Sequence, residues 1–346
     1  MSNDHHPLIG LIERTLIPHT AYQRSSKLLD GGLRRAQLVN QSSCIVILGE
    51  SRTGKSRLLK ELKDRNTSKR TSEGLEHIVV HATTPPKPTT KSFAAEILHR
   101  LGDPFPSKGN EAELRVRVET LLRETGTKAL LIDEFQHLYD KAREQTWHDI
   151  ADWIKVITEG AGIMVALVGL PYAREVVYEN PQLVGRAMNP IELPRFDWRN
   201  STHQIEFRGI LAAFNEVLSP HLELPELESP EMAYRFWCAT GGLMGLLTKL
   251  LDQLCWNAME DDLRVVTLDH FSEAHKMAVA DLKSGGGLHP FGQDFDLRLT
   301  EASLWAALSI NAPADVEALP GKEGRRRRSK RKRAAAPLLP KESDSP

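Results

Sequence analysis

The octapeptide Gly49-Glu50-Ser51-Arg52-Thr53-Gly54-Lys55-Ser56 (GESRTGKS) restricts what this chain can fold into more than any other stretch. It matches G-x-x-x-x-G-K-[ST] and lies between an apolar run and a helical pattern. The run Cys44 to Leu48 (CIVIL) is short and largely β-branched, as in a strand buried on both faces. Lys55 to Arg65 follows with helical spacing. A strand that turns through glycines into a helix gathers backbone N–H groups and the positive end of the helix dipole at one point, where an anion binds. The loop therefore predicts a site for the phosphates of ATP. Contacts are expected from Gly49, Glu50, Ser51, Arg52, Thr53, Gly54, Lys55, Ser56 and Arg57. Lys55 would reach the β- and γ-phosphates, and Ser56 would place its hydroxyl on Mg²⁺. A chance glycine loop is the competing reading, and the flanking strand and helix weigh against it.

A second motif completes the chemistry. Ala129-Leu130-Leu131-Ile132-Asp133-Glu134 reads as a buried strand whose tip carries two carboxylates, at the end of the sheet where ligands of α/β folds bind. Asp133 would hold the magnesium, directly or through water. Glu134 would polarise the attacking water as a catalytic group beside Lys55. A strand end solvated by two acids is the alternative. The adjacent glutamate favours hydrolysis over transfer of a phosphoryl group to a small molecule.

Around these motifs, strands alternate with helices. His77 to His81, Gly162 to Val168 and Pro190 to Leu193 read as further strands. Ala21 to Leu38, Ser92 to Leu101, Glu111 to Arg123 and Trp147 to Thr158 read as helices, the first interrupted at Gly31-Gly32. This order predicts a parallel sheet with helices on both faces, the α/β class. After Asp197 only helical patterns remain: Thr202 to Val217, Glu231 to Ala239, Leu243 to Met259 and Leu268 to Leu282. The expected organisation is an N-terminal, partner-binding extension over 1–40 and a nucleotide-binding α/β domain over 41–198. A small all-α lid over 199–283 and a largely disordered tail over 284–346 follow. Trp198, Trp237 and Trp256 are expected to anchor the helical core.

Composition removes several classes. Hydrophobic residues make up 40% and charged residues 26%, which suits a globular protein. No apolar run reaches the ~18 residues of a membrane span, and the N-terminus lacks a secretory pattern. The cysteines Cys44, Cys238 and Cys255 form no CxxC pair, which points away from zinc and disulfides and toward the cytoplasm. The net charge of −1 conceals an asymmetry: Arg325 to Arg333 (RRRRSKRKR) carries eight positive charges, leaving −9 for the rest.

In these motifs the chain resembles an AAA+ ATPase, and within that class the TniB/TnsC family of transposition regulators. The resemblance spans about Leu8 to Leu282. It rests on GESRTGKS, ALLIDEFQHL, VALVGLP (Val165 to Pro171), NPQLVGRAMNPIELPRFDW (Asn180 to Trp198) and ATGGLMGLLTKLL (Ala239 to Leu251). It implies a bacterial, cytoplasmic ATPase that takes ATP with Mg²⁺ and oligomerises on double-stranded DNA without regard to sequence. It also implies a go-between that links a target-selection protein of the TniQ type to the transposase, with hydrolysis dismantling the polymer. Arg186 lies where the family places an arginine near the subunit boundary, so it is a candidate finger acting on a neighbour's ATP; Arg195 is a second candidate, and an ordinary surface arginine is the alternative. Two departures stand out. The fourth strand ends in Gly169-Leu170, where many AAA+ proteins carry a polar sensor. The lid motif offers Gly242, Gly245 and Lys249 without the usual arginine. No winged-helix unit follows the lid, so base-specific reading is not expected.

Lys87 and Lys91, in the loop TTPPKPTTK after the second strand, are the candidate DNA-phosphate contacts. A rigid proline loop with solvated lysines is the other reading. The basic run would hold DNA nonspecifically, dock an acidic patch on the transposase, or act as a nuclear import signal, the last at odds with a bacterial protein. The rival functions are another AAA+ assembly ATPase such as a replication initiator or helicase loader, a small-molecule kinase, and an ATP-binding switch.

Overall fold

The computed structural model describes residues 6–72, 74–138, 144–179, 187–279 and 288–310. In chain order its main elements are α1 (Leu11–Arg14), α2 (Thr20–Val39), β1 (Ser43–Leu48), α3 (Lys55–Arg65), β2 (Lys69–Thr71), β3 (Gly74–Glu76), β4 (Val79–Thr83), α4 (Thr90–Arg100) and α5 (Glu111–Glu124). They continue with β5 (Ala129–Asp133), α6 (Glu144–Ala161), β6 (Met164–Gly169), α7 (Ala173–Glu179) and β7 (Ile191–Glu192). The helices α8 (Ser201–Leu218), α9 (Pro230–Thr240), α10 (Met244–Glu260), α11 (Leu268–Ala278) and α12 (Glu301–Ser309) complete them.

The central sheet has the order β4-β5-β6-β1-β7, and every pairing in it is parallel. Its strands read as unbroken apolar runs because both faces are covered. Cys44, Val46 and Leu48 enter the core under α4, α5 and α6, while Ile45 and Ile47 enter the core under α2 and α3. The strand expected at His77 to His81 is observed two residues later, at Val79–Thr83. The expected break at Gly31-Gly32 is absent: α2 runs through it. A Cβ on Gly32 would lie 2.5 Å from Met164 Sδ and 2.8 Å from Ile45 Cδ1, so the glycine brings the helix close onto the sheet.

The helices α8 to α11 surround a second core containing Phe207, Phe236, Trp237 and Phe271. Two segments join this core that the sequence places outside it. Leu8 and Ile12, in the segment expected to bind partners, are buried in it, so this part of the N-terminal extension packs onto the body. At the other end, Phe291, Ala307 and Ile310 are buried there too, which corrects the tail boundary at 284. Long-range polar bonds hold this stretch in place. Arg235 donates to Pro290 O at 2.7 Å and Gly292 O at 2.8 Å, and Tyr234 Oη donates to Arg298 O at 2.9 Å. Of the three tryptophans expected to anchor the helical core, Trp237 is fully buried and Trp198 partly so, but Trp256 is 42% exposed. The basic run at 325–333 lies outside the described residues.

Candidate nucleotide site

The C-terminal ends of β1, β5 and β6 converge on the loop from Gly49 to Gly54. Gly49 is packed so tightly that a Cβ there would meet Leu193 O at 2.5 Å and Thr53 Oγ1 at 2.7 Å. Gly54 has φ 103°, a conformation that disfavours side chains. Arg52 holds a left-handed φ of 67° without being glycine. Its carbonyl is fixed by the N–H of Gly245 at 2.8 Å, the first turn of α10, which ties lid to loop.

Lys55 opens α3 and is 7% exposed. Its ammonium donates to Gly49 O at 2.8 Å and Glu50 O at 2.6 Å. Burial pulls its pKa down, opposed by the nearby charges of Asp133, Glu134 and Glu50. Ser56 Oγ donates to Asp133 Oδ2 at 2.9 Å, joining the two motifs. Burial disfavours the charged Asp133, but the His81 imidazole, the Glu134 N–H and the Ser56 hydroxyl outweigh it and hold the carboxyl below the usual carboxylate range. His81 Nε2 stands 3.8 Å from Asp133 Oδ2, beyond direct hydrogen-bond distance. Ser56 and Asp133 are thus neighbouring hard oxygen donors, the set that suits Mg²⁺ shared with phosphates. No cluster of three or more His, Cys, Asp or Glu able to form an all-protein metal cage occurs among the described residues.

Glu134 follows at φ 55°, a left-handed turn that ends the strand. Its carboxylate accepts from Gln136 Nε2. Gln136 Oε1 in turn accepts from the N–H of Leu170 at 3.2 Å. Beside the loop, Ile12, Ile17, Tyr22, Arg57 and Met244 line a cavity of about 190 Å³. Arg57 itself donates to Glu13 O at 2.6 Å and pairs with Glu61 at 3.0 Å, so it braces the cavity wall. No local pattern points to the N-terminal segment or Met244 as part of this wall, because their partners are distant in the chain.

Arg195, the second finger candidate, is engaged within its own chain. Its guanidinium grips the Glu50 carboxylate, with Nε 2.9 Å from Oε1, and donates to Gly241 O at 3.2 Å, Leu308 O at 3.2 Å and Ile310 O at 3.3 Å. The other finger candidate, Arg186, lies outside the described residues. Lys87 and Lys91 are exposed at the β4–α4 loop and the first turn of α4, and neither forms an ion pair among the described residues. Arg117, in contrast, braces a loop through Asp103 at 2.9 Å.

Comparison with known proteins places this geometry. The family model described as bacterial TniB protein matches residues 10–198, more than half of the chain. The chain belongs to the TniB family. Among solved structures it is similar to the ORC2 protein of Aeropyrum pernix in ADPNP–ADP complexes, at 17% identity, with 78% of this chain and 72% of that one covered and a TM-score of 0.58. It is also similar to Cdc6p from Pyrobaculum aerophilum, at 15% identity, 80% and 72% coverage and a TM-score of 0.57. A third is the ORC1 protein of Aeropyrum pernix in complex with DNA, at 15% identity, 78% and 68% coverage and a TM-score of 0.57. At these identities the likeness shows the fold: a TniB chain with an AAA+ architecture. No curated protein matches it. No described helix is long and apolar enough to cross a membrane.

Proposed function

We propose that this TniB protein is an ATP-dependent regulator of DNA transposition. It assembles with further copies of itself on double-stranded DNA, links a TniQ-type target-selection protein to the transposase, and disassembles on hydrolysis. The observation that carries the ATPase part is the Ser56–Asp133 bond, with Lys55 and Glu134 on either side of it. The triphosphate lies against the N–H groups of the loop and the start of α3. Lys55 exchanges its bonds to Gly49 and Glu50 for phosphate oxygens. Ser56 and Asp133 would hold Mg²⁺, which would neutralise charge developing on the phosphates. Glu134 orients and polarises the attacking water. The base enters the cavity beside Tyr22 and Met244, where the lid and the N-terminal segment both touch it. Arg186 of a neighbouring copy supplies the charge that couples hydrolysis to assembly. Lys87 and Lys91 face the DNA backbone.

The fold likeness to ORC and Cdc6 proteins, one of them solved with DNA, favours a second reading as another DNA-associated assembly ATPase of the initiator or loader type. ATP turnover with and without duplex DNA tests the proposal. Stimulation by DNA of any sequence, lost in Arg186→Ala, is the expected result. Turnover by a monomer that ignores DNA would overturn it and favour a kinase or a switch. Dependence on the transposase, absent from the initiator reading, separates the two DNA-associated roles.

A further inference from the structure

The fourth strand of the sheet, β6, ends in Gly169-Leu170 and brings no polar side chain to the site. The space beside Gly169 is filled instead from the neighbouring strand. Gln136 is 3% exposed, and both ends of its amide are bonded. Its Nε2 donates to Glu134 Oε2 and its Oε1 accepts the Leu170 N–H. A Cβ on residue 169 would lie 2.8 Å from Gln136 Oε1, so the glutamine fits because this position is glycine. The backbone is pinned in parallel: the Phe135 N–H donates to Val168 O at 3.0 Å.

We infer that Gln136 is a positioning residue, which orients the Glu134 carboxylate by tying it to the end of β6. This rests on the proposed role of Glu134 in polarising water. A buried amide with both ends satisfied is held in one orientation, because losing either bond leaves a polar atom unpaired. A fixed donor on Oε2 fixes the carboxylate plane. Among the described residues no hydrogen bond reaches Glu134 Oε1, which is left to accept from the attacking water. Glu134 is itself in a left-handed turn and half-exposed, so without this tether its side chain has several rotamers to sample. The missing polar residue at the end of β6 is thereby replaced by one that enters two residues after the catalytic glutamate.

The test uses the full chain with ATP and Mg²⁺. Gln136→Ala and the near-isosteric Gln136→Met are expected to lower kcat by about ten- to a hundred-fold, while the Kd for a fluorescent ATP analogue holds and the melting temperature of the Met variant falls only modestly, from the unpaired Leu170 N–H. Gly169→Ala should lower kcat in the wild-type background, by displacing the glutamine, and add little in the Gln136→Ala background. Wild-type kcat in Gln136→Met, alongside an inactive Glu134→Gln, overturns the inference alone. So does a parallel fall in kcat, nucleotide affinity and melting temperature, which marks a structural role. Wild-type turnover in Glu134→Gln overturns both the inference and the reading of Glu134.

Discussion

Single atoms decide the chemistry at the loop. Lys55 Nζ is held by two carbonyls that a bound phosphate would displace, and Ser56 Oγ donates directly to Asp133 Oδ2. Lys55→Ala is therefore expected to abolish ATP binding, measured by titration with a fluorescent analogue. Glu134→Gln should keep that affinity and slow turnover by about 10²–10⁴-fold, the range for losing a positioned general base; wild-type turnover would contradict it. That Lys55, Ser56, Asp133 and Glu134 meet at one point was legible in the sequence, because motif spacing places them there. The contacts of Gln136 and Arg195 were not. Gln136 acts through Leu170 and Arg195 through Glu50, contacts made only when distant segments meet.

Among the elements, α12 has a place that its composition did not suggest. Arg195 joins the loop residue Glu50 to the last carbonyls of α12 and to Gly241, the left-handed C-cap of α9. One guanidinium thus connects the nucleotide loop, the lid and the C-terminal helix. Its side chain is only 10% exposed, so Arg195→Ala strands Glu50 and several carbonyls. Because Glu50 stays 31% exposed, the expected cost is about 1–3 kcal/mol, the range for lost charged hydrogen bonds, together with weaker ATP binding. Urea unfolding and nucleotide titration read the two effects. A stable variant with wild-type affinity would show that the hub couples nothing. The sequence reading missed this helix because Gly, Pro and charge dominate the stretch before it. What orders that stretch is the long-range grip of Arg235 and Tyr234 and the burial of Phe291. The strands β1, β5 and β6 were legible for the opposite reason, since apolar runs covered on both faces need no distant information.

For the whole molecule, acid is expected to weaken the fold through buried histidines. Burial lowers the pKa of His19 and of His275 below the ordinary 6.5. Below pH 6.5 the unfolded chain binds protons that the folded chain refuses, so stability rises with pH from the depressed values up to 6.5. The urea midpoint should therefore fall between pH 7.5 and 5.5, and His275→Gln should flatten that slope; an unchanged slope would remove His275 from the explanation. The basic run at 325–333 belongs to the same scale. Deletion after Gly324 should weaken DNA binding at low salt, where phosphate contacts count most. Unchanged binding would favour a protein partner for the run. Whether ATP drives this chain to assemble on DNA is read by electron microscopy of particles formed with ATP or ADP, with and without duplex DNA. Rings or filaments on DNA of any sequence, formed with ATP and lost with ADP, are the expected result. Monomers under every condition would contradict it.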